Sequence, residues 1–120
     1  MSITAAVTSA ALLATLSAPL PATGPVEPDA ASAGCTTTHC LEIERTGTDY
    51  TTWAWFTQDI ALGYFRLTGP NLNVTTPVKR WRAGEETQHY TRPGRGQVCA
   101  EPWTYHSGRW HSHGMSCVRL

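Results

Sequence analysis

Near its end the chain reads YHSGRWHSHGMSC, from Tyr105 to Cys117, and this stretch holds three of the five histidines. His111, His113 and Met115 fall at alternate positions, so an extended strand would place them on one side. Imidazole with thioether suits copper, and imidazole alone suits zinc. His106, near the turn, or His89, from further back, would complete such a site. A His-x-His pair is equally what two space-filling strand histidines look like, and the nearest carboxylate in sequence is Glu101. The metal reading (His106, His111, His113, Met115) therefore ranks behind packing beside Trp103 and Tyr105, and no cofactor is expected.

Aromatic side chains offer a second kind of chemistry. Trp53 and Trp55 alternate with Tyr50, Ala54 and Phe56, the pattern of a central strand that is apolar on both faces. They are expected in the core. Trp81, within KRWRAGEE, and Trp110, beside a turn, have polar neighbours and are expected at the surface. Together with Arg80, Arg82 and Tyr105 they form the candidate binding surface, because exposed rings can stack on sugars or anchor a protein partner. Lys79, Arg80, Arg82, Arg92 and Arg95 form a basic edge. Such charges also serve to keep a free sheet edge from pairing.

The stretch ETQHYTRPGRG suggests a third chemistry. Glu86, His89, Arg92 and Arg95 are the residue types for general acid–base cleavage with phosphate clamps. In that menu it resembles small secreted bacterial ribonucleases, which implies a hydrolase. Those enzymes pack a helix on their sheet, and this chain shows no amphipathic helical period. Glu86 and His89, three apart, are also expected on opposite faces of a strand. No G-x-S-x-G elbow, phosphate loop or H-E-x-x-H motif occurs.

These residues need a scaffold. Ile3 to Leu20 is uncharged and rich in Ala, Leu, Thr and Ser, which reads as a signal peptide. Its dense part, Ala5 to Leu16, is short for a membrane span of about 20 residues. A Pro- and Ala-rich linker follows, with Ala31-Ser32-Ala33 a good cleavage site. The expected organisation is residues 1–33 as signal peptide and linker and 34–120 as a secreted β domain, free of the membrane after cleavage. The whole chain has nine basic and nine acidic residues. Removing Glu27 and Asp29 leaves seven acids against nine bases, a formal +2, which gives no strong pull toward nucleic acid.

Four cysteines in a short exported chain read as two disulfides. Cys35–Cys40 and Cys99–Cys117 are favoured, although spacing alone leaves a crossed pairing open. Turn residues recur at short intervals, and between them lie β-rich runs at about 40–46, 49–57, 61–68, 72–76, 78–82, 86–92, 96–106 and 109–119. Leu41, Ile43 and Arg45 alternate with Glu42 and Glu44, and Phe65 and Leu67 with Tyr64 and Arg66. This predicts an all-β fold, a small antiparallel β-sandwich of Ig-like or Greek-key type, with a small open barrel as the alternative.

The final hairpin depends on register. A two-residue loop at Ser107-Gly108 sets Cys99 opposite Ser116; one further residue sets it opposite Cys117. The shift comes either from a three-residue loop or from a bulge at Pro102. In the shifted register Glu101 meets Met115, Trp103 meets His113 and Tyr105 meets His111. A one-residue slip moves a strand's side chains to the other face.

The layout resembles small exported bacterial β-proteins, a group that includes enzyme inhibitors, toxins and adhesion modules. The leading expectation is a non-catalytic, monomeric binding module for an extracellular protein, such as a hydrolase that it inhibits, or for a surface glycan. Copper or zinc binding and a ribonuclease-like hydrolase are the alternatives.

Overall fold

The structure is a computed structural model, and it describes residues 31–120. The expected signal peptide and most of the linker lie outside the described residues. Ten strands are present: β1 (Ala31–Cys35), β2 (His39–Thr46), β3 (Asp49–Phe56), β4 (Ile60–Gly69), β5 (Leu72–Thr75), β6 (Lys79–Trp81), β7 (Tyr90–Pro93), β8 (Gln97–His106), β9 (Arg109–Ser112) and β10 (Ser116–Arg119). They form two antiparallel sheets. The first runs β1-β2-β3-β7; the second runs β10-β8-β4-β5, with β6 also on β4 and β9 also on β8.

The alternation read from the sequence places the core. Leu41 and Ile43 on β2 and Tyr50, Ala54 and Phe56 on β3 point inward from the first sheet. Phe65, Leu67, Val98 and Ala100 meet them from the second. Phe56 and Phe65 pack with ring centroids 4.4 Å apart across the sheet interface. Trp81 belongs to this cluster at 2% exposure. Where β1 passes β10 the sheets touch but do not pair, and a Cβ on Gly34 would lie 3.1 Å from Val118 Cγ2. The fold is thus an all-β sandwich with antiparallel sheets, not a closed or open barrel.

Two return strands in the second sheet are interrupted. β5 and β6 both run along one side of β4, at Arg66–Gly69 and at Ile60–Gly63, and Thr76-Pro77-Val78 separates them. Pro77 has no N–H to offer a ladder. Thr76 repairs the gap: its hydroxyl accepts from the Phe65 N–H at 2.8 Å, and its own N–H donates to the Phe65 carbonyl at 2.9 Å. On the far side of β8, β9 and β10 are likewise one return strand broken at His113-Gly114-Met115, where Gly114 takes φ 81°. The sequence reading of 109–119 as one strand is corrected here. So is 86–92, in which regular strand begins only at Tyr90.

β1 was not expected from the sequence, whose first predicted strand was 40–46. It starts at Ala31 and pairs with β2 from Ala31↔Glu44 to Cys35↔Cys40. Both disulfides form as favoured, Cys35–Cys40 and Cys99–Cys117. Each joins two residues directly opposite one another on neighbouring strands.

Candidate functional site

The C-terminal hairpin uses both registers weighed above. Ser107 (φ 53°) and Gly108 (φ 80°) make a two-residue turn, and two positive φ values are what the right-handed twist of a hairpin favours there. β9 therefore pairs with β8 as His106↔Arg109, Tyr105↔Trp110, Thr104↔His111 and Trp103↔Ser112. Beyond the break, β10 pairs as Ala100↔Ser116 and Cys99↔Cys117, one residue displaced. The extra residue is absorbed at His113-Gly114-Met115, not at Pro102 or the turn. This overturns the expected pairings of Tyr105 with His111 and Trp103 with His113.

The slip sorts the side chains. Trp103, Tyr105, Trp110 and Ser112 share the outer face of the second sheet, where Tyr64 of β4 lies opposite Trp103. The Tyr64 and Trp103 rings are parallel within 6°, with centroids 6.1 Å apart. Trp110 stands edge-on to both Tyr64 (5.1 Å) and Tyr105 (5.2 Å). Tyr105 is 41% exposed, Trp110 37% and Leu62, also on β4, 37%. The cluster is bordered by the cross-strand pair Arg66↔Glu101, and the Ser112 hydroxyl donates to Glu101 at 2.7 Å.

The other surface candidates separate. Trp81 is a correction: it is buried, its Nε1 donating to the Gly63 carbonyl at 2.9 Å and its ring packed edge-on against Phe65. Lys79 lies over that ring and forms an ion pair with Glu85, whose carboxyl the lysine holds below its ordinary pKa. Arg82 is exposed, and its N–H donates to Glu85 at 3.0 Å. Arg80, exposed on β6, faces away from its buried neighbour Trp81 beside a hollow formed with Asp59, Ile60 and Ala61.

The histidines of the tail do not converge. His106 and His111 stack face to face at 4.0 Å on the side of the hairpin away from the tryptophans, and His111 lies 3.2 Å from the His106 carbonyl. His113 sits in the break, its Nε2 sharing a hydrogen bond with the Thr104 hydroxyl at 2.7 Å. Met115 is 59% exposed. Among the described residues no group of three or more His, Cys, Asp or Glu side chains comes together as a metal site.

Glu86 and His89 were expected on opposite faces, and that is corrected too. Arg82 to His89 is not regular strand; Glu86 makes a lone bridge to Trp55. The looping chain brings His89 Nε2 within 2.8 Å of Glu86 and lays its ring on Trp53 at 4.0 Å, parallel within 4°. Arg92 donates from its guanidinium to the carbonyl of its neighbour Thr91.

His39 was not singled out from the sequence. It is fully buried between the sheets, its Nε2 2.8 Å from the Ser116 hydroxyl and its Nδ1 within reach of Thr36 (2.9 Å) and Thr38 (3.0 Å). Burial chiefly lowers its pKa below the usual value, against a backbone contact with Ala100, and His113 lowers it further. The threonines flanking it between Cys35 and Cys40 were the available signal. Tyr64, also absent from the expected surface, had a clearer one: an aromatic residue on the wet side of an alternating strand. Compared with known family models, curated proteins and solved structures, the chain matches none.

Proposed function

We propose that this is an exported, non-catalytic binding module that recognises an extracellular protein through the outer face of its second sheet. The observation that carries the reading is the cluster of Tyr64, Trp103, Tyr105 and Trp110 on one sheet face, with two of its rings about two-fifths exposed. Rings that brace each other edge to face are held rigid, so little side-chain freedom is lost when a partner covers them. Leu62 and Arg66 extend the surface, and aromatic residues with arginine are the usual anchors of protein interfaces. Leu62 adds an aliphatic contact that suits a protein better than a sugar. Two disulfides, and no helix among the described residues long and apolar enough to cross a membrane, are compatible with an extracellular setting.

The test is capture from culture supernatant and, in parallel, from cell-wall glycan, using the disulfide-bonded chain and its Tyr105→Ala and Trp110→Ala variants. A supernatant protein retained by the parent and lost with either variant is expected. Capture that survives both substitutions, or retention by glycan alone, overturns the proposal.

A further inference from the structure

The outer face of the first sheet also carries unmet chemistry. β2 turns Glu42 and Glu44 outward, because Leu41 and Ile43 between and beside them are in the core. Across the strands Glu42 is flanked by Trp53 and Ala33, and Glu44 by Thr51 and Ala31. None of these is a cation. All nine lysines and arginines lie within the described residues, and none forms an ion pair with Glu42 or Glu44. The adjacent Arg45 is turned to the Gly47 carbonyl. Glu86, bridged to Trp55, brings a third carboxylate to this face.

A second, independent observation comes from Trp53. It is 9% exposed, and its enclosed Nε1 has no hydrogen-bond partner among the described residues. A buried indole N–H without an acceptor is costly, and native structures rarely leave one. What lies over the indole is the imidazole of His89, half exposed and held by the single hydrogen bond to Glu86. A planar nitrogen ring stacked on an indole beside a carboxylate has the arrangement that a guanidinium would adopt.

We propose that this face binds an arginine-containing segment of a partner protein. The guanidinium replaces His89 over Trp53, with Glu42 and Glu86 as its carboxylate partners, and a peptide carbonyl of the segment accepts from Trp53 Nε1. Arginine fits better than lysine because it is planar and can stack and donate in a fork at the same time. This site is separate from the Tyr64–Trp110 cluster, on the opposite face of the sandwich, and does not depend on it.

The probe is a blocked tri-arginine peptide, with blocked tri-lysine and tri-glutamate beside it, titrated into the full disulfide-bonded chain. Indole N–H resonances are followed by NMR. Tri-arginine is expected to move the Trp53 resonance ahead of the other four tryptophans, more strongly than tri-lysine, and tri-glutamate to leave it in place. Glu42→Gln with Glu44→Gln, both surface changes, should weaken binding by about tenfold, and His89→Ala should tighten it by removing the competing ring. Glu101→Gln and Trp110→Ala, on the other face, should change nothing. An unmoved Trp53 resonance overturns the proposal. So does equal weakening by Glu101→Gln, which would mean diffuse charge attraction with no site.

Discussion

On the outer face of the first sheet the Cys35–Cys40 bridge lies beside Trp55, and Trp53 is hidden under His89 among glutamates. On the outer face of the second sheet the Cys99–Cys117 bridge lies along the strand from Trp103, and the aromatic rings brace one another in the open beside Arg66. Both faces combine a cross-strand disulfide with tryptophans on an alternating strand. They differ in what covers the rings. The segment from Arg82 to His89 runs along the free edge of β3, bonded to Ala54 and Phe56, and its His89 lays an imidazole over the first face. The β8–β9 hairpin leaves the second face bare. A tryptophan on a sheet's outer side is thus covered or open according to whether a neighbouring side chain is laid over it.

Substitutions sharpen the contrast. Trp81→Ala, which belongs to neither face, should cost most, about 3–5 kcal/mol, since it empties a core site and orphans the Gly63 carbonyl. Trp53→Ala should cost about 3 kcal/mol, whereas Trp110→Ala should cost about 1 kcal/mol; urea melts of the three variants would rank them. If Trp110→Ala matched Trp53→Ala, the two faces would not differ as described. The disulfides give the next test. Loss of Cys99–Cys117, which spans 18 residues, should cost about 3 kcal/mol, and loss of Cys35–Cys40, which spans 5, about 2 kcal/mol by chain entropy. Paired Cys→Ala variants measured by the same melts would check the order.

A pH-dependent effect concerns His39, which ties the two sheets together. Its folded pKa lies below the unfolded value of about 6.5, so the unfolded chain takes up a proton first as pH falls. Its contribution is fully present above about pH 6.5 and declines below it, by up to about 1.4 kcal/mol per pH unit until the folded histidine also protonates. A melting temperature that falls from pH 7 to pH 5.5 in the parent, and less steeply in His39→Gln, is expected. Equal slopes would mean that another group sets the dependence.

Much of the scaffold was legible because side chains in strands alternate. Leu41, Ile43, Phe65 and Leu67 declared the core, and Glu42, Tyr64 and Arg66 the outer faces. The disulfide pairing was favoured on sequence, but the one-residue shift that sets Cys99 opposite Cys117 lies at His113-Gly114-Met115, not at the Ser107-Gly108 turn. The candidate sites were less legible. Trp81 looked exposed because Lys79, Arg80 and Arg82 surround it in sequence, yet three strand residues send alternate side chains to opposite sides, and the core lay under one of them. Glu86 and His89 met only because their segment is not a strand.

The chain's own order of residues determined an all-β fold with its inward and outward sides and favoured a sandwich with the two cystine bridges, since these rest on period-two alternation and short-range turn geometry. Tertiary structure alone decided where the tail histidines point, that Trp81 is core, and that His89 covers Trp53 while Trp110 stays open. Those outcomes depend on where one extra residue is absorbed, at His113-Gly114-Met115, and on which segment runs along the edge of β3. Both are settled by long-range packing between strands far apart in the sequence, to which local pattern is blind.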